Sequence, residues 1–330
     1  MFYIKPNFYD EFKCIAEKCT DNCCIGWEID IDADSLNKYN SVNSDFGKYL
    51  KKNIITSDDG SNCFKLCENE RCALLNDKNL CKIIINCGED YLCDICREHP
   101  RFYEWFAGVT ECGLGLCCEE SCRLLLQNEK PFSLIEETDC EEIILETKEE
   151  IAESDTYIFL SSFRDSLFEV LFKENVGLEE KLVKILSKTE SFCNEKCKVR
   201  DYEKSLEAYK KTEPINDEWT EFIYDLSDRY QDVLKYENDF EKIKENNMLY
   251  SKILAYILYR HLLKAVFDSS IKQRVEFSIE AVRFIRLCDM KTFAKKGSLT
   301  LTDRINNLKN WSKQIEYSEE NTQFLIYGEY

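Results

Sequence analysis

The chain has 330 residues, 44% of them hydrophobic, and a formal charge of −19 at pH 7. That length supports one large domain or two smaller ones, and that charge argues against nucleic-acid binding, which needs a concentrated positive surface. Only 10 Gly and 4 Pro occur, too few for a many-turned β architecture, so the expected fold class is mainly α.

The opening, MFYIKPNFYDEF, has no basic stretch followed by an apolar core, so secretion is not expected and the protein is placed in the cytoplasm. Cysteine is the anomaly. There are 19, and 15 lie at or before Cys122. A disulfide framework is opposed by the missing signal, the odd count and the vicinal pairs Cys23-Cys24 and Cys117-Cys118. Neighbouring cysteines strain the ring that a bond between them would close, yet they readily send two thiolates to one metal. Cys14-x4-Cys19-x3-Cys23-Cys24 forms a first group, then a looser set of Cys63, Cys67, Cys72, Cys81 and Cys87. Cys93-x2-Cys96 is a knuckle whose tight turn aims two sulfurs at one ion, and Cys112, Cys117, Cys118 and Cys122 close the set. With only 2 His in the chain, the expected site is thiolate-rich, which admits both zinc and an iron–sulfur cluster.

The acidic stretch Glu136–Glu153 reads as a boundary or an exposed helix. We therefore expect a cysteine-rich metal-binding N-terminal module over residues 1–130, packed with an all-α helical half over 131–330. Tyr157, Ile158, Leu160, Phe163, Leu167, Val170 and Leu171 recur at helical steps, and similar stripes run through 178–189, 217–236, 248–267, 271–294 and 301–316. Asp217 with Glu218 and Thr302 with Asp303 are expected helix starts, and Gly297 an expected stop. The most apolar segment, Met248–Phe267, is interrupted by Lys252, Arg260, His261 and Lys264, which suits a buried core helix and not a membrane span. Cys193-x3-Cys197 has no partner pair nearby and reads as unmetallated thiols.

The run from Cys14 through CTDNCCIGWEIDID, the stretch RCALLNDKNLCKI at 71–83, GEDYLCDICREHPRF at 88–102 and LGLCCEESCRLLL at 114–126 together resemble the flagellin lysine-N-methylase family (FliB). The same layout is similar to YkgJ-like cysteine-cluster domains. The family resemblance implies methyl transfer from S-adenosylmethionine to lysine side chains of flagellin, with an iron–sulfur cluster, 4Fe-4S in type, held by the N-terminal cysteines. The matching positions are Cys14, Cys19, Cys23, Cys24, Cys72, Cys81, Cys93, Cys96 and Cys118. Cys63, Cys67, Cys87, Cys112, Cys117 and Cys122 fall outside the pattern, and Glu119 stands where the family usually has Pro.

The residues alone do not reach methyl transfer. Cys112-Gly113-Leu114-Gly115-Leu116 is a weak nucleotide loop without alternating βα units, and no C-x3-C-x2-C of a radical enzyme occurs. His99, Arg101, Tyr103 and Glu120 lie in or beside the cysteine blocks, where capping, pairing and packing account for them as well as chemistry does. Trp27 could shield a cluster from water or simply pack. No methyl-donor site, catalytic base or oligomeric state is assigned. Zinc in a non-enzymatic scaffold, or a metal-handling protein, is the rival reading.

Overall fold

The structure is a computed structural model that describes residues 2–57, 60–138, 147–173 and 176–328. The chain is mainly α and divides into two compact units. One comprises Phe12–Phe102 with Cys118–Glu120; the other comprises Met1–Glu11, Tyr103–Cys117 and Ser121–Tyr330.

The larger unit contains the long helices. Lys148–Lys173, Leu178–Cys193, Asp217–Leu234, Ile271–Lys296 and Leu301–Ile315 occupy the segments whose apolar residues recur at helical spacing. Asn246–His261 fills the most apolar segment, and it is buried on all sides, from Tyr250 through Tyr259 without a break. Its Lys252 ammonium reaches the Asn128 carbonyl, and burial pulls that amine below its ordinary pKa. No described helix is long and apolar enough to cross a membrane.

Helix ends fall a residue or two from where composition suggests, because the capping side chain precedes the first helical turn. Asn216, not Asp217, accepts the Trp219 N–H at 2.8 Å, leaving Asp217 and Glu218 to complement the helix dipole. Thr300, not Thr302, closes a reciprocal box with Asp303. Gly297 is the stop as expected: at φ 73° its N–H returns to the Phe293 carbonyl at 2.8 Å, a conformation that costs glycine nothing.

A four-stranded sheet, unanticipated in the sequence, lies in order Arg101–Phe106, Val109–Leu114, Phe2–Pro6, Leu134–Thr138. Phe2–Pro6 runs parallel to Val109–Leu114 and antiparallel to Leu134–Thr138. The half expected to be all-α thus begins with a strand, and residues 139–146 of the acidic stretch lie outside the described residues. Glu111 on the central strand Val109–Leu114 takes both arms of Arg164 at 2.7 and 2.8 Å and the Tyr157 hydroxyl at 2.8 Å, fastening the helix Lys148–Lys173 to the sheet.

Farther along, Glu316 is fully buried against Arg260 and 3.1 Å from His261 Nε2. Burial drives the His261 pKa down to about 4; the Glu316 bond opposes this, while Arg260 and Lys264 add to it. An imidazole that is neutral when folded and titrates near 6.5 when unfolded takes up its proton preferentially in the unfolded chain. Its stabilising contribution is therefore complete above about pH 6.5 and falls away toward pH 4, a loss of about 3 kcal/mol in all. Urea unfolding of wild type and His261→Phe across that window should show the wild-type curve falling the more steeply. Parallel curves would assign the acid sensitivity to other groups.

The smaller unit is built from short pieces: helices Ala33–Ser41, Asp45–Lys52, Lys82–Cys87 and Asp94–Glu98, and a hairpin of Ile54–Thr56 with Asn62–Phe64. Gly47 lets two of these approach, since a Cβ there would stand 2.1 Å from the Val42 carbonyl oxygen. Ile29, Ile31, Tyr39, Leu50, Phe64, Leu74 and Ile83 form its core together with Cys72 and Cys93, and Cys24, Cys81, Cys87 and Cys96 pack against them. Sulfur therefore replaces part of the hydrocarbon that a core this small would otherwise need.

Candidate functional site

Three local devices gather the sulfurs of the smaller unit. The Cys72 N–H bonds the Cys24 carbonyl at 2.9 Å, which joins the vicinal pair to the 71–83 block. A bridge between Leu75 and Cys81, with the Lys82 N–H on the Leu74 carbonyl at 2.7 Å, folds that block back on itself. Asp32 does the third job with a single carboxylate. One oxygen caps Ala33–Ser41 through the Ser35 N–H at 2.8 Å, and the other accepts the Asp94 N–H at 2.9 Å, setting the Cys93–Cys96 turn against that helix. Although burial opposes ionisation, these backbone bonds leave the Asp32 carboxyl below its ordinary pKa.

The result is an inner group of Cys24, Cys72, Cys81, Cys93 and Cys96, with Cys23 at its margin. Cys24 has Cys23, Cys81 and Cys72 as its electrostatic neighbours, and Cys96 has Cys93, Cys24 and Cys81. Cys93 and Cys96 share a hydrogen bond that holds the Cys93 thiol below its ordinary value and, with burial, raises Cys96 far above it. Cys23 raises Cys24 in the same way, again with burial second. Burial, with Cys81, Cys93 and Cys67 adding to it, lifts Cys72 to about 11 against the bond from the Leu74 N–H.

Cys14, Cys19 and Cys118 form an outer group that also meets Cys23. The Cys19 thiol is 3.7 Å from Glu119 Oε2 and 3.1 Å from the Asp21 carbonyl, and burial raises it to about 11. Cys118 and Cys23 are its further neighbours, while Cys14 faces Cys23, Glu89 and Glu120. The departure at 119 has a structural use here. Glu119 Oε2 accepts from the Thr20 N–H at 2.8 Å and from its hydroxyl at 2.6 Å, tying the Cys118 segment to the Cys19 loop where a proline could accept nothing.

Among the described residues, no three His, Cys, Asp or Glu side chains are already arranged to hold a metal ion. The donor set is nonetheless of the soft kind: Cys72 and Cys93 lie in one apolar core with Cys24, Cys81 and Cys96 packed against it, and Asp32 is a carboxylate neighbour of Cys93. Tyr39 adds a feature that the sequence did not flag. It is completely buried in that core beside Cys93 and Cys96, and its hydroxyl has no hydrogen-bond partner among the described residues.

Other singled-out residues have quieter places. Trp27 is 39% exposed, its indole N–H pins the Cys23 carbonyl at 2.7 Å, and its ring leans on His99. Arg101 lies over the Phe12 ring, and Tyr103 stacks on Trp105. Cys63 is buried beside Ser57, and Cys112, Cys117 and Cys122 are buried in the larger unit. Cys112-Gly113-Leu114 is a buried strand, and the helix that follows, Glu119–Gln127, opens on two glutamates that disfavour an anion.

Comparison with known proteins gives a partial likeness. Over 143 residues the chain is 28% identical to the lysine-N-methylases of Salmonella typhimurium and Salmonella choleraesuis, a match covering 41% of this chain and 35% of each relative. It is 25% identical over 135 residues to the flagellar biosynthetic protein FliU of Salmonella muenchen, covering 39% of this chain and 80% of that protein. The match thus spans about a third of the length of the lysine-N-methylases. No family model matches, and no solved structure matches. The resemblance to lysine-N-methylases drawn from the cysteine blocks is borne out by these relatives; the one to YkgJ-like domains has no counterpart among them.

Proposed function

We propose that this chain is a cytoplasmic methyltransferase that moves a methyl group from S-adenosylmethionine to lysine side chains of flagellin, and that its cysteine-rich unit holds an iron–sulfur cluster. The observation that carries the reading is the segment shared with proteins named lysine-N-methylase, joined to the gathering of five of the nine family-pattern cysteines, Cys24, Cys72, Cys81, Cys93 and Cys96, in or against one small core. Cys24, Cys72, Cys81, Cys93 and Cys96 are the ligand candidates, and Cys14, Cys19, Cys23 and Cys118 are candidates for a second, outer site. When bound, an iron–sulfur cluster supplies an open-sided iron or an electron carrier. What the chain itself contributes is a surround low in water and backbone clamps, from Asp32 and Lys82, that fix where the sulfurs sit.

The burial of Cys72 and Cys93 among aliphatic side chains also favours a second reading, zinc held for structure alone. Anaerobic purification with quantitation of iron, sulfide and zinc separates the two. Incubation of the iron-loaded protein with S-adenosylmethionine and purified flagellin should add multiples of about 14 Da to flagellin, the mass of a methyl replacing a proton on nitrogen. Unchanged flagellin mass would count against the transferase, and stoichiometric zinc without iron or sulfide against the cluster.

A further inference from the structure

We infer that the outer edge of the strand Arg101–Phe106 is a docking surface for an extended peptide with cationic side chains, seated over the rings of Tyr103 and Trp105. The inference needs neither a metal nor methyl transfer. Arg101–Phe106 is an end strand of the four-stranded sheet and has Val109–Leu114 as its one neighbour there. Its side chains alternate between the two faces. Glu104 reaches Lys264 at 2.6 Å, and the Phe106 ring lies 4.9 Å from that of Tyr157, so these two face the helices. Tyr103 and Trp105 therefore face the other way. Their rings stack 6.2 Å apart and 21° from parallel, and Trp105, at 67%, is the most exposed large hydrophobic side chain among the described residues. The two-residue turn Ala107-Gly108 bonds Phe106 to Val109, which directs the peptide N–H and carbonyl of Trp105 to the open edge. An edge with an aromatic surface beside it, and no proline to interrupt it, is a template for an added strand.

Charge selects the occupant. Ile4 packs with Phe106 on the helix side of the sheet, so its neighbour Lys5 lies on the face of Trp105. The Lys5 ammonium is shared there by two carboxylates, Asp10 at 2.8 Å and Glu137 at 2.6 Å, which leaves the group net negative. With −19 on the whole chain, a second copy adding its own edge would be repelled. A lysine or arginine is instead drawn in by that field and held over the electron-rich ring faces. Every second side chain of an extended segment falls on one face, so cations at alternate positions reach the rings while the backbone pairs with the edge.

The test is the fluorescence anisotropy of a fluorescein-labelled peptide of about eight residues, alternating Lys and Thr, titrated with the full-length protein at low salt. W105A should bind about tenfold more weakly, and W105F, which keeps a ring, should fall between it and wild type. Because Trp105 is largely exposed, W105A should melt with wild type, which separates lost binding from lost fold. Two altered peptides test the same points on the unaltered protein. Replacing each Lys with Gln should weaken binding about tenfold, and so should methylating alternate peptide nitrogens, which removes the donors of the added strand. Undiminished binding by W105A or of the glutamine peptide would overturn the inference, as would a wild type that binds no peptide. Full binding of the N-methylated peptide would overturn the added strand. A wild-type dimer that W105A dissolves would overturn the inference in favour of a second copy.

Discussion

Glu111→Gln is expected to destabilise the larger unit by about 3–5 kcal/mol, lowering its melting temperature by about 10 °C. The carboxylate and the Arg164 guanidinium are 3% and 2% exposed, and they meet in a two-armed bond far from solvent. Burial alone would drive a guanidinium toward its neutral form, yet the charge of Glu111 holds Arg164 above its ordinary pKa. Glutamine keeps the shape, removes the charge and offers a single acceptor oxygen, so a charged arginine is left in the core without compensation. Tyr157 loses its acceptor as well, or competes with Arg164 for the one that remains. Removing both charges together, as in Glu111→Leu with Arg164→Met, should recover most of the loss, because a well-packed apolar pair avoids the desolvation of two ions. Urea unfolding of the three proteins decides the matter. A loss below about 1 kcal/mol for the single variant would mean that water reaches the pair.

That ion pair also marks where sequence reading stopped. Helices Lys148–Lys173, Leu178–Cys193 and Leu301–Ile315 were legible because one face is apolar and the other wet, and the period survives in the sequence. Asn246–His261 was legible only as an apolar run, since a helix buried on every side has no wet face to set a period. The sheet escaped notice for a different reason. Its central pair, Phe2–Pro6 with Val109–Leu114, is parallel and joins segments more than a hundred residues apart, so no turn signal links them. In the smaller unit the sulfurs were legible by type and spacing, because thiols at such density have few uses. Asp32, Glu119 and Tyr39 were not. Asp32 reads as an ordinary helix cap, and its second oxygen finds the Asp94 N–H, 62 positions farther along, only after the intervening chain has folded back. Tyr39 reads as one more residue on the inward face of a short helix; only the orphaned hydroxyl sets it apart.

Replacing Cys96 or Cys24 with serine should remove the inner metal, leaving less than about a tenth of the wild-type content, and should loosen the smaller unit as a whole. The two effects are linked physically. The core of this unit is short of hydrocarbon and is completed by Cys72 and Cys93, with Cys24, Cys81, Cys87 and Cys96 packed against it. The hydrogen bond that the Cys96 thiol donates to Cys93, with burial, holds Cys96 far above its ordinary pKa, and the bond with Cys23, with burial, does the same for Cys24. These two therefore stay protonated in the metal-free chain, and a bound metal supplies the charge that makes thiolates tolerable there. Serine matches the size of cysteine but keeps its proton and binds soft metals poorly, so the loss follows from ligation and not from volume. Cys14→Ser supplies the contrast. Cys14 is exposed, its neighbours are Cys23, Glu89 and Glu120, and it stands apart from the inner five, so this variant should keep the inner metal and the fold. Cys193→Ser, in the other unit, should change neither. Metal content by elemental analysis, with protease resistance of residues 12–102 as the measure of folding, reads all four variants. Full metal in Cys24→Ser and Cys96→Ser would show that the inner group is a sulfur-filled core and no metal centre. Full loss from Cys14→Ser would show that inner and outer cysteines serve one site.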